Sequence, residues 1–264
     1  MTDDLTLAAD LVRAAGLLAA RMLADGLDSQ RKTSVSDVVS AADHAAEELV
    51  VSRLRAARPA DGIVGEEGTE LAGERTWFID PVDGTYNFLA GLPYWCSAIA
   101  LAQRSSTGWI PVLGAVYHPA ADELWLGGQD HRTSRNGVPV PALTDAPLAE
   151  LSLASYLHPA SLADDSVREP ALSVLAGAAT VRMLGSGSVE LAAVAAGRLG
   201  AWLQRNPPEW DWLPGAALVT AAGGHTEVLH RRNQRWHIAG NARVVAEIRH
   251  RLIEHPGAYE RDHR

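Results

Sequence analysis

The stretch "WFIDPVDGTYNF", residues 77–88, constrains the fold more than any other part of the chain. Trp77, Phe78 and Ile79 read as a buried strand ending in Asp80. Pro81 has no N–H with which to continue a ladder, and Asp83 follows one tight turn later. Gly84 then lets the backbone approach closely before a helix opens. Two carboxylates aimed into one small volume repel, so the arrangement is costly unless a cation sits between them. Hard oxygen ligands select Mg²⁺ or Mn²⁺ over zinc, and the N–H groups opening the next helix would face an anion. Taken alone, the same residues also read as an Asx-type turn with Asp83 as a helix N-cap.

Three further carboxylate regions weigh against that local reading. "GEEG" at 65–68 places Glu66 and Glu67 at the end of a strand, and "EWDW" at 209–212 sets Asp211 between two tryptophans just before a helix. "KTSVSDVVSAAD" at 32–43 ends in Asp43, at the start of a second helix. Each alone has an ordinary reading as a solvated strand end, an N-cap or a capping box. Together they put four acidic regions at element termini, where active sites gather.

The rest of the chain divides near residue 145. In residues 1–145, Leu7, Leu11, Leu18 and Met22 form one stripe of an amphipathic helix, with Asp10, Arg13, Arg21 and Asp25 off it. A second helix, capped by Ser40, runs to just before Pro59. Strands follow at 62–67, 76–80, 97–102, 112–118 and 122–127, with turns at 118–121 and 136–137, giving a mostly antiparallel α+β half. In residues 146–264 strands at 150–157, 180–186 and 201–205 alternate with helices at 168–177, 188–196 and 213–222. Strands at 225–230 and 235–240 then lead to a last helix at 242–254. That alternation is the signature of a layered α/β half.

Composition removes several classes of function. The formal net charge of −9, with no Lys/Arg stripe to neutralise phosphates, argues against a nucleic-acid scaffold. The arginine-rich "HRRNQR" at 230–235 reads as a solvated hairpin. An acidic chain that binds an anionic small molecule needs a metal to supply positive charge. The lone Cys96 makes neither an internal disulfide nor a multi-thiolate zinc site, and no apolar run approaches a membrane span. With neither a basic start nor an apolar block at its N-terminus, the chain is expected to be cytoplasmic. "GSGS" at 185–188 is neither a hydrolase elbow nor a dinucleotide fingerprint. Asp80 and Asp83 are separated by two residues, not the one that an aspartyl-phosphate phosphatase requires, and the calcium-loop pattern is absent.

The motifs "GEEG", "WFIDPVDGTYNF" and "WDWLPGAALVTAAGG", in that order, resemble the inositol monophosphatase family of Mg²⁺-dependent, lithium-sensitive phosphatases, over about residues 32–224. That family also includes histidinol-phosphate, fructose-bisphosphate and adenosine-bisphosphate phosphatases. The resemblance implies a layered αβαβα sugar-phosphatase-type fold, a small-molecule phosphate ester as substrate, no membrane or nucleic-acid partner, and a homodimer. It implies that Glu66, Asp80, Asp83, Asp211 and the Val82 carbonyl hold Mg²⁺, with Mn²⁺ as a possible substitute. Thr85, paired with Asp43, would help Glu66 deprotonate the attacking water, and the Gly84 and Thr85 amides would bind phosphate. Asp83, Ser186, Gly187, Gln204 and Asp211 become candidates for substrate contact, although 185–188 reads equally as a plain strand-to-helix turn. Inositol-cleaving members carry an acidic residue seven positions before the Trp-Asp aspartate, where this chain has Gln204. A glutamine presents a donor as well as an acceptor and lacks the charge. Trp95, Trp210 and Trp212 would either form an aromatic rim for a flat leaving group or serve as packing. A non-catalytic, metal-binding regulatory protein is the alternative of another class.

Overall fold

In the computed structural model, residues 3–28, 35–106, 108–231 and 233–254 are described. Residues 32–34, which open the "KTSVSDVVSAAD" stretch, and residue 232 of the arginine-rich turn lie outside them. Helices α1 (Asp4–Asp28) and α2 (Val35–Ala57) precede strands β1 (Gly62–Gly65), β2 (Glu70–Leu71) and β3 (Arg75–Asp83), a short α3 (Thr85–Leu89), and strands β4 (Cys96–Ser105), β5 (Gly108–His118), β6 (Glu123–Gly128), β7 (His131–Arg135) and β8 (Val138–Pro139). After residue 140 come β9 (Ser152–Tyr156), α4 (Pro159–Leu162), α5 (Asp165–Leu175), β10 (Thr180–Arg182), α6 (Gly187–Ala195), β11 (Ala201–Arg205), α7 (Glu209–Ala221), β12 (His225–Arg231), β13 (Gln234–Gly240) and α8 (Ala242–Glu254).

Two mixed sheets result. The first has the order β2-β1-β3-β4-β5-β6-β7-β8, antiparallel except where β1 runs parallel to β3. In the second, of order β10-β9-β11-β13-β12, the first three strands are parallel and β13 and β12 antiparallel.

Strand alternation explains the layering, because successive side chains point to opposite faces. On β3, Trp77 and Ile79 pack with α1 and α2, whereas Phe78 faces α6 and α7. On β11, Trp202 faces that same central helical layer, whereas Ala201 and Leu203 face α5 and α8. The order is therefore helix pair, sheet, helix pair, sheet, helix pair. This is the five-layer αβαβα arrangement, and the central apolar cluster draws on both halves of the chain. The buried face of α1 centres on Ala8, Leu11, Val12, Ala15 and Ala19; Leu7, Leu18 and Met22 border it. Small residues let the helix lie close on the sheet.

Three local expectations are corrected. Pro81 does not end the ladder: β3 continues to Asp83 through a bulge, with Asp80 opposite Ala98 and Asp83 opposite Cys96. Bulges are where a strand tolerates proline, and the Ser97 hydroxyl donates to the Pro81 carbonyl at 2.5 Å. Helix α2 begins at Val35, so Ser40 lies inside it and Asp43 sits in its third turn, not at its start. Helix α7 begins at Glu209, which brings Asp211 into its first turn even though Pro214 follows within the helix.

Candidate active site

The bulge re-aims the chain so that Asp80 and Asp83 both enter one cleft. Beside them, the parallel pairing of Gly65 with Ile79 sets the β1–β2 turn level with Asp80, and the Glu66 N–H donates to the Ile79 carbonyl at 3.1 Å. The first turn of α7 brings Asp211 from the far side. The cleft has a volume of about 240 Å³ and is lined by Glu66, Asp80, Asp83 and Asp211, together with Val82, Gly84, Thr85, Ser186, Gly187 and Gln204. Asp43 lies buried on α2, outside this lining.

Burial dominates the electrostatics. The Asp80 carboxyl is pushed well above the carboxylate range, first by burial and then by Glu66, Asp83 and Asp211. Asp211 is raised by burial and then by the Asp83 and Glu66 charges. Glu66, at the open edge, is also raised, mainly by partial desolvation and by Glu67, Asp83 and Glu47. Burial and the charges of Glu67, Glu66 and Glu47 lift Asp43 to about 8. Among the described residues no Lys or Arg lines the cleft to offset this charge.

Asp83 has a second duty. Its Oδ2 accepts from the Ser186 hydroxyl (3.1 Å) and the Ser188 N–H, and its Oδ1 accepts from the Gly187 N–H (3.2 Å). It thereby caps α6 from another element, because Ser186 at the N-cap position makes no cap bond of its own. These bonds hold the Asp83 carboxyl down, but burial outweighs them and leaves it raised. Gly84 permits the contact. Its φ is +100°, and a Cβ there would meet the Gly185 carbonyl at 3.0 Å and Ser186 Cβ at 3.2 Å. The 185–188 segment is thus both a strand-to-helix turn and a wall of the cleft.

Several implied contacts differ from expectation. The Thr85 hydroxyl donates to the Val82 carbonyl at 3.2 Å, not to Asp43. The tryptophan rim is not formed. Trp95 is buried edge-on against Phe88, Trp212 stacks on Trp202 at 5.6 Å, and Trp210 packs against the central core. Exposed Tyr86 and Tyr156 line the cleft in their place.

Two carboxylates missed from sequence organise the turns. Glu47 accepts from the N–H groups of Glu67 (2.9 Å) and Thr69 (3.2 Å) and from the Thr69 hydroxyl (2.6 Å), fixing the "GEEG" turn. Glu190 accepts from the Leu184 and Gly185 N–H groups and from the Trp202 indole, fixing "GSGS". Each reads in sequence as an ordinary helix residue; only its spacing from a glycine-rich turn could have marked it. Glu47→Ala is expected to destabilise the protein by about 3 kcal/mol, read from the shift in its denaturant midpoint.

A metal fits the donor chemistry. Asp80 Oδ1 is buried without a hydrogen-bond partner, and the surrounding donors are hard oxygens carrying uncompensated charge. The side chains do not form a closed cage: among the described residues no three His, Cys, Asp or Glu groups converge as a ready ligand set.

The five-layer fold is of the sugar-phosphatase type, and comparison with known proteins gives the family. The inositol monophosphatase family model matches residues 1–258. An inositol-1-monophosphatase of Rhizobium meliloti is 36% identical over 201 residues, covering 72% of this chain and 71% of that protein. A histidinol-phosphatase of Streptomyces coelicolor is 36% identical over 240 residues, covering 84% of this chain and 85% of its own length. The solved inositol monophosphatase of Anabaena superposes with a TM-score of 0.82 at 26% identity, covering 97% of both chains. The chain belongs to the inositol monophosphatase family, whose members are phosphatases hydrolysing phosphate monoesters.

Proposed function

We propose that the chain is a Mg²⁺-dependent phosphatase that hydrolyses a small-molecule phosphate monoester, inositol monophosphate or a relative of it, using water as the nucleophile. The observation that carries this reading is that Asp80, Asp83, Asp211 and Glu66 line one cleft with no Lys or Arg among its described lining residues, and that the buried Asp80 Oδ1 has no hydrogen-bond partner. Those four side chains and the Val82 carbonyl would hold Mg²⁺ or Mn²⁺. The bound cation would supply charge neutralisation to the phosphoryl group and acidity to a coordinated water.

The chain's own groups do the rest. Gly84, the N-cap of α3, and Thr85, its first residue, line the cleft, and their N–H groups would serve as donors for phosphate oxygens. Glu66, which lines the cleft and is exposed to it, would take a proton from the attacking water. In the metal-free protein, burial and the neighbouring Glu67, Glu66 and Glu47 charges raise Asp43 to about 8, which favours its protonated form. Phosphoryl transfer depends on positioning and neutralisation, so no protein nucleophile is required. Thr85→Ala is expected to lower kcat more than it alters KM in steady-state phosphate release, because the hydroxyl braces the Val82 carbonyl, a proposed metal ligand, and not the leaving group.

Histidinol phosphate is the second reading. The neutral Gln204 in the cleft and the similarity to a histidinol-phosphatase over most of the chain favour it. The same proposal carries a homodimer and a cytoplasmic setting. The unpaired Cys96 supports that setting, and no helix among the described residues is long and apolar enough to cross a membrane.

The test is phosphate release with Mg²⁺ from inositol 1-phosphate, histidinol phosphate, fructose 1,6-bisphosphate and adenosine 3′,5′-bisphosphate, with intact-mass analysis of the protein during turnover. One ester is expected to exceed the others about 10²-fold, equivalent to about 2.7 kcal/mol, with no phosphorylated protein. Absence of release from every ester would favour the metal-binding regulatory alternative.

A further inference from the structure

We propose that Glu190 is a positioning residue for metal binding: from behind the cleft wall, its one carboxylate sets the placement of Asp83 and Asp211 together. The inference rests on the metal-dependent reading above. Glu190 lies in the first turn of α6, is 2% exposed and lines the cleft. Its Oε1 accepts from the N–H groups of Leu184 (2.8 Å) and Gly185 (3.2 Å), and its Oε2 accepts from the Trp202 indole N–H (3.0 Å).

Each oxygen leads to a different proposed ligand. On the first arm, the Leu184 peptide is held from both sides, its N–H by Glu190 and its carbonyl by Asn87 Nδ2 at 2.7 Å. That fixes the start of the turn whose Ser186 hydroxyl and Gly187 and Ser188 N–H groups hold both oxygens of Asp83. On the second arm, the tethered Trp202 ring stacks on Trp212 with centroids 5.6 Å apart at 25°, and Trp212 directly follows Asp211 in the first turn of α7. The two arms meet at Gly187. A Cβ there would lie 3.6 Å from the Trp202 ring, 3.8 Å from the Asp211 carbonyl oxygen and 3.9 Å from Gln204 Oε1. A displaced Glu190 carboxylate therefore disturbs two ligand-bearing segments that are far apart in the chain.

Stability alone is a poor reason for a carboxylate at this place. Its three donors are all neutral N–H groups, so no charged partner among them offsets its desolvation, and it adds charge to an anionic cleft. What it supplies is a pair of equivalent oxygens whose charge strengthens each bond, so one rigid group holds both arms. Groups behind metal ligands tune affinity by fixing the orientation of those ligands.

The test uses Mg²⁺ alone and reads the concentration that gives half of the maximal rise in Tm, together with the near-UV circular dichroism of the metal-free protein in EDTA. Glu190→Gln is compared with the wild type and with Thr133→Val, which removes a buried hydroxyl bond to the Leu218 carbonyl in the last turn of α7, outside the cleft. The single oxygen of glutamine serves the turn or the indole but not both. Glu190→Gln is expected to raise the half-saturating Mg²⁺ concentration about 10-fold and to change the tryptophan signal in EDTA. Thr133→Val is expected to lower Tm with neither effect. Trp202→Phe keeps a ring against Trp212 and loses only the indole bond, and is expected to raise the same concentration about 3-fold; it decides the matter where Glu190→Gln does not fold. An unchanged Mg²⁺ concentration in these two variants, with Tm lowered as in Thr133→Val, would make Glu190 a cap of the fold and overturn the inference while leaving the metal-dependent reading standing. Absence of any Mg²⁺-induced rise in the wild type would overturn both.

Discussion

Asp83→Asn is expected to lower Mg²⁺-dependent phosphate release by at least about 10²-fold while the protein stays folded. Removing a residue that only supports a metal ligand typically costs about 10- to 100-fold, and Asp83 is assigned as a ligand itself. Its carboxylate also caps α6 through Ser186, Gly187 and Ser188. Asparagine keeps one oxygen acceptor there, so the lost cap bond costs about 1 kcal/mol. Removing a charge from a repelling, buried group offsets part of that cost. Thermal denaturation in EDTA is therefore expected to move by only a few degrees, and the stabilisation added by Mg²⁺ to be largely lost. Unchanged turnover would remove Asp83 from the site.

The second large effect is in pH. An acid whose folded pKa is raised keeps its proton in the native state after the unfolded chain has released it, so stability falls as pH rises between the two values. Asp43, ordinarily near 3.8 and raised to about 8, follows this rule, as do Asp80 and Asp211 by direction. His237 acts oppositely. Burial against Trp212 lowers it to about 4, so it withholds a proton that the unfolded chain binds, and stability rises with pH up to about 6.5. Above pH 6.5 only the falling limb remains. From pH 6.5 to 8, Asp43 alone removes about 2 kcal/mol, a fall of about 4–8 °C in Tm for a protein of this size. The fall is expected in EDTA and is reduced by Mg²⁺, which competes with protons for the neighbouring carboxylates. A flat Tm in EDTA from pH 6.5 to 8 would contradict the burial assigned to these groups. His237→Gln is expected to flatten the rising limb between pH 4 and 6.5.

Periodicity and turn residues carried much of this architecture. The residues of β11 and α8 coincide with the strand and helix read from sequence, and the five layers follow from the alternation of apolar faces. Boundaries failed where tertiary contacts overrode local rules. Pro81 sits in a bulge that only the neighbouring β4 can define, and Pro214 is carried inside a helix packed against both sheets. The residue types of the acidic cleft were legible because "DPVDGT" and "GEEG" are compact. The junction between Asp83 and Ser186–Ser188 was not, since it joins segments more than 100 residues apart. The tryptophan rim failed for a geometric reason. Adjacent residues on a helix project about 100° apart, so neither Trp210 nor Trp212 shares the direction of Asp211 between them: Trp212 enters the central core and the partly buried Trp210 packs at its margin. Tyr86 carries no such helical signal and is seen only as an exposed ring once the cleft is built.

The most direct measurement is phosphate release from purified protein on one accepted ester, with Mg²⁺ present, after EDTA, and after Mg²⁺ is restored, alongside Asp80→Asn. The expected result is turnover that EDTA abolishes and Mg²⁺ restores in the wild type, with none recovered in the variant. Turnover that survives EDTA, or that Asp80→Asn leaves intact, would contradict a metal-dependent reaction at this cluster.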